Sequence, residues 1–521
     1  MGSHGIIKFT VRFLLTIHKM LHYLEGTMGR IKMLLGAVCL ALATVANAGA
    51  LENEFHGDFT AQFDVSNFNR TPTTDYNAAG GGYYDPTGVK KNQNASNFIE
   101  QRALLHYSAK ADSVLKLVTA FELNYAYWGN GSNDAGSGSG GATGTDFINF
   151  ITKNVYLDYS PHENINLKLG MMPNNDSFKG VLFDTDMAGV LVSGKYGRLS
   201  QSVGFFRLED KGADKDLVVG LSTKDMFMLD SKVQISPGLK VGAAYYFFRD
   251  GTPDGTTNTV VAAVPDRIIT VNDVYGNQYP VTLPGTGSPA VTTPNYNDIR
   301  MHVLGLNAEY VLNRVTLNGF AIYETGTSNN RTTSAFAGNL GAKIKKGVGL
   351  IRVEFLYVSG DRPGSSTSGA FYNVPGSSGG HGYLANEMTM IGRDKNALMS
   401  NNSLVFNADN RGQGQIGGYL GYDRPFTPAF DMSFNVGFVA AAEDNAAKPF
   451  IYNDGIISDI KNGSKFLGSE LNAEANYKVR DDLKLSARTG YAILGEYYKG
   501  VALHDPPMNV YDVKLLVKYN F

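Results

Sequence analysis

Few side chains in this sequence have the spacing of a reaction centre. The histidines beyond residue 48 are His56, His106, His162, His302, His381 and His504, and no pair has the close separation of a metal-ligand motif. Isolated histidines, with no metal held, are the expectation. The one cysteine, Cys39, lies in an apolar N-terminal run; disulfides, thiolate metal sites, iron–sulfur clusters and CxxCH haem attachment are therefore excluded from the chain beyond it. Neither GxSxG nor a Walker phosphate loop occurs, no cofactor is called for, and no enzyme is expected. Clusters such as Ser132-Asn133-Asp134 and Asn453-Asp454-Gly455 lack the full calcium-loop grammar and read as turns.

What remains is fixed charge. Asp58, Asp64, Glu100, Arg300, Glu470 and Lys514 fall on the polar side of alternating stretches, as do Arg102, Glu122, Arg352, Glu354 and Arg488. Carboxylates ringing a water-filled tube favour cations, and Arg or Lys rings favour anions. With both signs present, internal ion pairs and a weak net preference are expected; Arg102, Glu122, Arg352, Glu354 and Arg488 are the candidate lumen charges.

Many strands must alternate in step to bring such residues to one interior. The last stretch does so most clearly: Tyr511, Val513, Leu515, Val517, Tyr519 and Phe521 form one face, and Asp512, Lys514, Leu516, Lys518 and Asn520 the other. Phe55, Gly57, Phe59, Ala61, Phe63 and Val65 repeat the pattern near the start. Between them, extended stretches are joined alternately by tight turns such as Asp112-Ser113, Gly197-Arg198 and Asn313-Arg314, and by long polar connections such as 69–97, 249–298 and 359–411. Eighteen strands are counted, with sixteen as the next choice. This even antiparallel count predicts an all-β transmembrane barrel with short periplasmic turns and long extracellular loops. No internal run reaches the length of a membrane helix, so membrane residence would require a closed barrel. Aromatics such as Tyr125, Tyr127, Trp128, Tyr245, Tyr246, Phe247 and Phe248 gather near strand ends, where interfacial girdles are expected.

The chain has 521 residues, with Gly 60 against Pro 18 and Trp 1. Met28 to Ala48 reads as a secretory signal, with Arg30 and Lys32 before an apolar run and Ala46-Asn47-Ala48 as the cleavage site. Residues 1–27 fit no signal grammar and are expected to be an over-extended gene start, leaving 49–521 as a single outer-membrane barrel domain. Removing residues 1–48 takes away five Lys/Arg and one Glu, leaving 41 basic and 47 acidic residues and a formal charge of −6. That is no basic excess, so no nucleic-acid partner is expected.

The segment Phe121-Glu122-Leu123 through Tyr127-Trp128-Gly129-Asn130, then Val155-Tyr156-Leu157-Asp158-Tyr159, Leu167-Lys168-Leu169-Gly170-Met171 and Phe183-Asp184-Thr185-Asp186-Met187-Ala188-Gly189-Val190, resembles the homotrimeric outer-membrane porins of anaerobic sulfate- and metal-reducing bacteria. The likeness covers about residues 98–210 and the last strand. It implies a trimer in outer-membrane lipid that passes small hydrophilic solutes and ions passively. It also implies a loop from Met172 to Thr185 that folds inward as the constriction, with Asp176, Lys179, Asp184 and Asp186 near it. Neutralising Asp176 and Asp184 is expected to shift selectivity towards anions more than neutralising as many acids in 359–411. Tyr519 and Phe521 match the sorting strand read by the outer-membrane insertion machinery. The alternative is a barrel scaffold or sheath of an outer-membrane electron-transfer complex.

Overall fold

The structure, a computed structural model, describes residues 52–68, 95–129, 141, 150–211, 219–220, 222–259, 267–272, 278–283, 291–362, 364–374, 383, 387–392, 394–398, 403–405, 407–410, 412–443, 450–452, 455–457, 464–497 and 509–521. The signal, the gene-start expectation, both calcium-like clusters, His381 and His504 lie outside these residues in whole or part.

Eighteen long strands make the wall: β1 (Glu52–Ser66), β2 (Ser96–Lys110), β3 (Leu115–Tyr127), β4 (Phe150–His162), β5 (Ile165–Asn175), β6 (Asp184–Tyr196), β7 (Leu199–Asp210), β8 (Thr223–Ser236), β9 (Leu239–Asp250), β10 (Ile299–Leu312), β11 (Val315–Ser328), β12 (Arg331–Lys346), β13 (Gly349–Val358), β14 (Gln415–Pro425), β15 (Phe430–Ala440), β16 (Phe466–Lys478), β17 (Leu483–Leu494) and β18 (Val510–Asn520). Each pairs antiparallel with its neighbour in sequence, and β1 pairs with β18 from Asp58↔Asn520 to Ser66↔Asp512. The sheet therefore closes as an 18-stranded antiparallel barrel with no free edge, which satisfies its backbone groups internally.

Alternation decides what each face meets. On β18, Val513, Leu515 and Val517 are exposed while Lys514 and Leu516 between them are buried. The same holds round the wall: Leu304, Leu306, Leu340, Leu420, Phe434, Leu471 and Leu485 all stand outward and open. So wide an apolar belt far exceeds the few hundred Å² that soluble monomers show, so the outer face requires an apolar solvent. Outward aromatics flank it: Tyr196, Tyr310, Tyr477 and Tyr519 towards the short-turn end, and Trp128, Phe150, Tyr323 and Phe336 towards the loop end.

Three expectations change. In Tyr245-Tyr246-Phe247-Phe248 only alternate rings belong to the outer girdle, because Tyr246 and Phe248 turn inward and are fully buried. Arg300 leaves the lumen set, since on β10 the inward residues are Met301, Val303 and Gly305 and Arg300 stands outward with Leu304 and Leu306. The connection read as a 50-residue loop contains two small antiparallel ladders, Pro253–Thr259 with Val291–Tyr296 and Arg267–Asn272 with Gln278–Leu283. Two-stranded ribbons are all edge, and edges tolerate proline. At the same end β11 and β12 meet through Asn329-Asn330 alone, both with positive φ (50° and 68°), the left-handed pair that a tight hairpin turn demands.

Candidate constriction

Eight residues between β5 and β6, Asp176 to Phe183, turn into the barrel. Asp176 organises them: its carboxylate accepts the backbone N–H groups of Phe178 (2.6 Å), Gly180 (2.9 Å), Leu182 (2.6 Å) and Phe183 (2.9 Å). This cap holds Lys179 and Gly180 at φ 63° and 78°, a left-handed turn that costs a non-glycine residue about 1–2 kcal/mol. Burial pushes the Asp176 carboxyl up to about 6, against the four amide donors that pull it down. Phe178 lays its ring edge-on to Tyr246 and Phe320 and over Gly305 of β10, where even a methyl group would collide with it. Ser177 donates to Asp230 at 2.7 Å. The tip reaches across the lumen, with Lys179 Nζ 3.0 Å from Glu354 on β13 and 2.8 Å from Asn339 on β12. β13 is seven strands away from β6 in a ring of eighteen, close to the opposite wall.

The connection between β13 and β14 enters as well. The Glu470 carboxylate on β16 accepts the amides of Thr389, Met390 and Ile391 at 2.8–3.0 Å, and the Thr389 hydroxyl at 2.8 Å. Tyr372 donates its amide to Glu324, and the Tyr383 hydroxyl donates to Glu354 at 2.7 Å. Asp394, 2% exposed, lies between Arg488 of β17 and Lys514 of β18. Burial alone would raise the Asp394 carboxyl; Lys514 and Arg488 outweigh it and hold it far below the usual carboxylate range. The two inward segments touch each other, the Val374 amide donating to the Leu182 carbonyl at 2.8 Å.

These contacts sort the candidate residues. Lys179 and Glu354 meet inside the barrel. Asp176 faces its own backbone and offers no open charge. Asp184 is exposed at the start of β6, and Asp186 accepts from Asn154 at 2.7 Å. Arg352 forks onto Asp423 with two 2.7 Å bonds and also reaches Asn435. Arg488 donates to Glu474 at 2.9 Å, and Glu122 pairs with Lys153 at 3.2 Å. Arg102 stays half-buried, its Nε without a hydrogen-bond partner among the described residues. The acids of 359–411 are no distant reference for selectivity, because Asp394 and Glu387 sit inside the same barrel, Glu387 paired with Lys395 and Lys395 with Glu474. Sequence reading missed Tyr383, Asn339, Asp394 and the anchoring role of Glu470. Inward-facing wall glycines carried a signal, since glycine within a strand marks close approach by another segment: Gly305 receives Phe178, and a Cβ on Gly490 would meet Met390 at 2.9 Å.

Replacing Asp176 by alanine orphans four buried amides, each costing about 1–3 kcal/mol when left unpaired. The expected result is a barrel that still forms but whose residues 177–183 exchange amide hydrogens at least about a hundredfold faster. Unchanged protection there would show that the cap is dispensable.

No protein-family model matches the chain, and no curated relative does. Among solved structures it is similar to Pseudomonas aeruginosa OpdL (12% identity, 90% of this chain and 99% of that chain, TM-score 0.49). It is also similar to the outer membrane protein opdK from Pseudomonas aeruginosa (11% identity, 90% and 98%, TM-score 0.49) and to a BenF-like porin from Pseudomonas fluorescens Pf-5 (12% identity, 90% and 98%, TM-score 0.48).

Proposed function

We propose that this chain is an outer-membrane porin through which small hydrophilic solutes and ions diffuse passively, its bore set by the space left beside two inward segments. The observation that carries the reading is the pairing of an apolar outer belt with an interior crossed by Lys179 and Glu354. Eighteen empty strands would leave a wide tube; with its interior partly filled, this one is narrow and selects by size as well as charge. Short turns face the periplasm and long loops the outside, and the resemblance in β3 to β6 extends the reading to a homotrimer. A sheath around a separate electron carrier is disfavoured, because the chain's own loops already occupy the lumen.

Single-channel recording in planar bilayers under a salt gradient tests this. A unit charge about 5 Å from a passing ion is worth about 0.8 kcal/mol even at the dielectric of water, about fourfold in a permeability ratio. Lys179→Gln should move the reversal potential towards cations and Glu354→Gln towards anions, each by at least that ratio. Folded protein without conductance would end the porin reading; equal conductance with no shift in either variant would remove Lys179 and Glu354 from the constriction.

A further inference from the structure

The short-turn mouth of the lumen holds two histidines far apart in sequence. His56 lies on β1 on the same face as Asp58, Gln62 and Asp64, of which Gln62 and Asp64 are buried inward. His106 lies on β2 opposite Ala120, whose side chain is buried inward. β1 and β2 are paired neighbours, and the two imidazoles stack with centroids 5.0 Å apart and planes 10° apart. His56 is exposed and His106 half-buried. Among the described residues neither ring makes a hydrogen bond.

A divalent transition cation holds imidazole nitrogen at about 2.0–2.1 Å, so two rings sharing one ion at a near-tetrahedral angle have centroids about 5 Å apart. The wall already supplies that separation. Ligation requires both imidazoles to turn out of this near-parallel stack until each ring plane contains the shared ion. We propose that His56 and His106 form a two-nitrogen site for a borderline divalent transition cation, of the class Zn2+, Ni2+ or Cu2+, with water filling its other positions. Alkaline-earth ions, which take oxygen ligands, do not fit the donor set. Glu54 and Asp58 flank His56 on the same strand face, paired with Lys110 and Lys518 respectively. No group of three or more His, Cys, Asp or Glu among the described residues is placed to hold a metal, so the two imidazoles are the only protein ligands proposed. If the porin reading holds, a bound dication adds positive charge at the mouth and slows cation entry there.

Cu2+ titration of the folded, detergent-solubilised protein tests the site without reference to conductance. Electron paramagnetic resonance should show a copper population with two nitrogen ligands that disappears in both His56→Gln and His106→Gln and persists in His162→Gln. Affinity should fall by at least the roughly tenfold that losing even an outer-shell partner costs. A spectrum and affinity unchanged by both substitutions would overturn the proposal. Should either variant fail to assemble, Zn2+ protection of His56 and His106 from diethyl pyrocarbonate in the wild-type barrel, read by peptide mass, decides instead: protection of both supports the site and protection of neither refutes it. In bilayers, Zn2+ should lower conductance of the wild type and not of the double variant; a protein that binds Cu2+ through both histidines yet never conducts would count against the porin reading alone.

Discussion

Asp394→Asn should release the β13–β14 segment from the wall while leaving the barrel standing. Arg488 and Lys514, 5% and 7% exposed at the side chain, flank this carboxylate, and breaking such a buried set by removing one charge costs at most about 3–5 kcal/mol. Glu474 still serves Arg488, and Asp512 and Asp64 still serve Lys514 at 3.0 and 3.5 Å, so the loss falls on the segment and spares the wall. The expected readouts are fast proteolysis within residues 387–398, an enlarged single-channel conductance and unchanged heat-modifiable mobility. Protease resistance equal to wild type would mean that Glu470 and the segment's other contacts anchor it without Asp394. The pH dependence follows from the sign of the shift: a carboxyl depressed in the folded state contributes stability above its unfolded pKa, and that contribution is lost only as pH falls through the folded value. With the folded value this low, proteolysis should be flat between about pH 5 and 8.

Deleting Phe521 should leave most of the protein unassembled in the periplasm. Its amide donates to the Gly57 carbonyl at 3.0 Å, its carbonyl accepts from the Gly57 amide at 2.8 Å, and its ring lies over Gly57 and 5.8 Å from Tyr519. Two net hydrogen bonds contribute about 1–3 kcal/mol, too little to unfold a closed wall of this size. A large loss of barrel would therefore report recognition during insertion. Phe521→Ala keeps the backbone bonds and should produce the same defect if the ring is what is read. Wild-type amounts of heat-modifiable, protease-resistant barrel in the deletion strain would refute the assembly role.

The wall was legible because a membrane barrel writes its pattern twice, as period-two alternation and as the succession of short and long connections. All eighteen strands lie where that pattern puts them. The least legible strand is β8 (Thr223–Ser236), where inward Asp230, Lys232 and Gln234 dilute the apolar signal at the far end. The interior was harder to read. Residues 359–414 look like any polar loop, and their fate depends on carboxylates such as Glu470 and Glu324 lying opposite backbone amides more than 45 positions away, which no local period records. Asp176 reads as a charge near the constriction only through the resemblance, which places its loop inside the barrel. Its acidity is spent on its own backbone, and residue type alone does not distinguish a cap from a filter.

Lys514 does more than neutralise its surroundings. It belongs to the last strand, Asp64 belongs to the first, and Asp394 reaches both through it. The inner segment is thus fastened to the seam where the cylinder shuts. Its fastening point is synthesised more than a hundred residues after the segment itself and is complete only when the two ends of the sheet meet. Closing the wall therefore completes this one fastening: a sheet still open along β1 and β18 lacks the bridge from Asp64 through Lys514 to Asp394, while the holds on Glu470 and Arg488 do not wait for the seam.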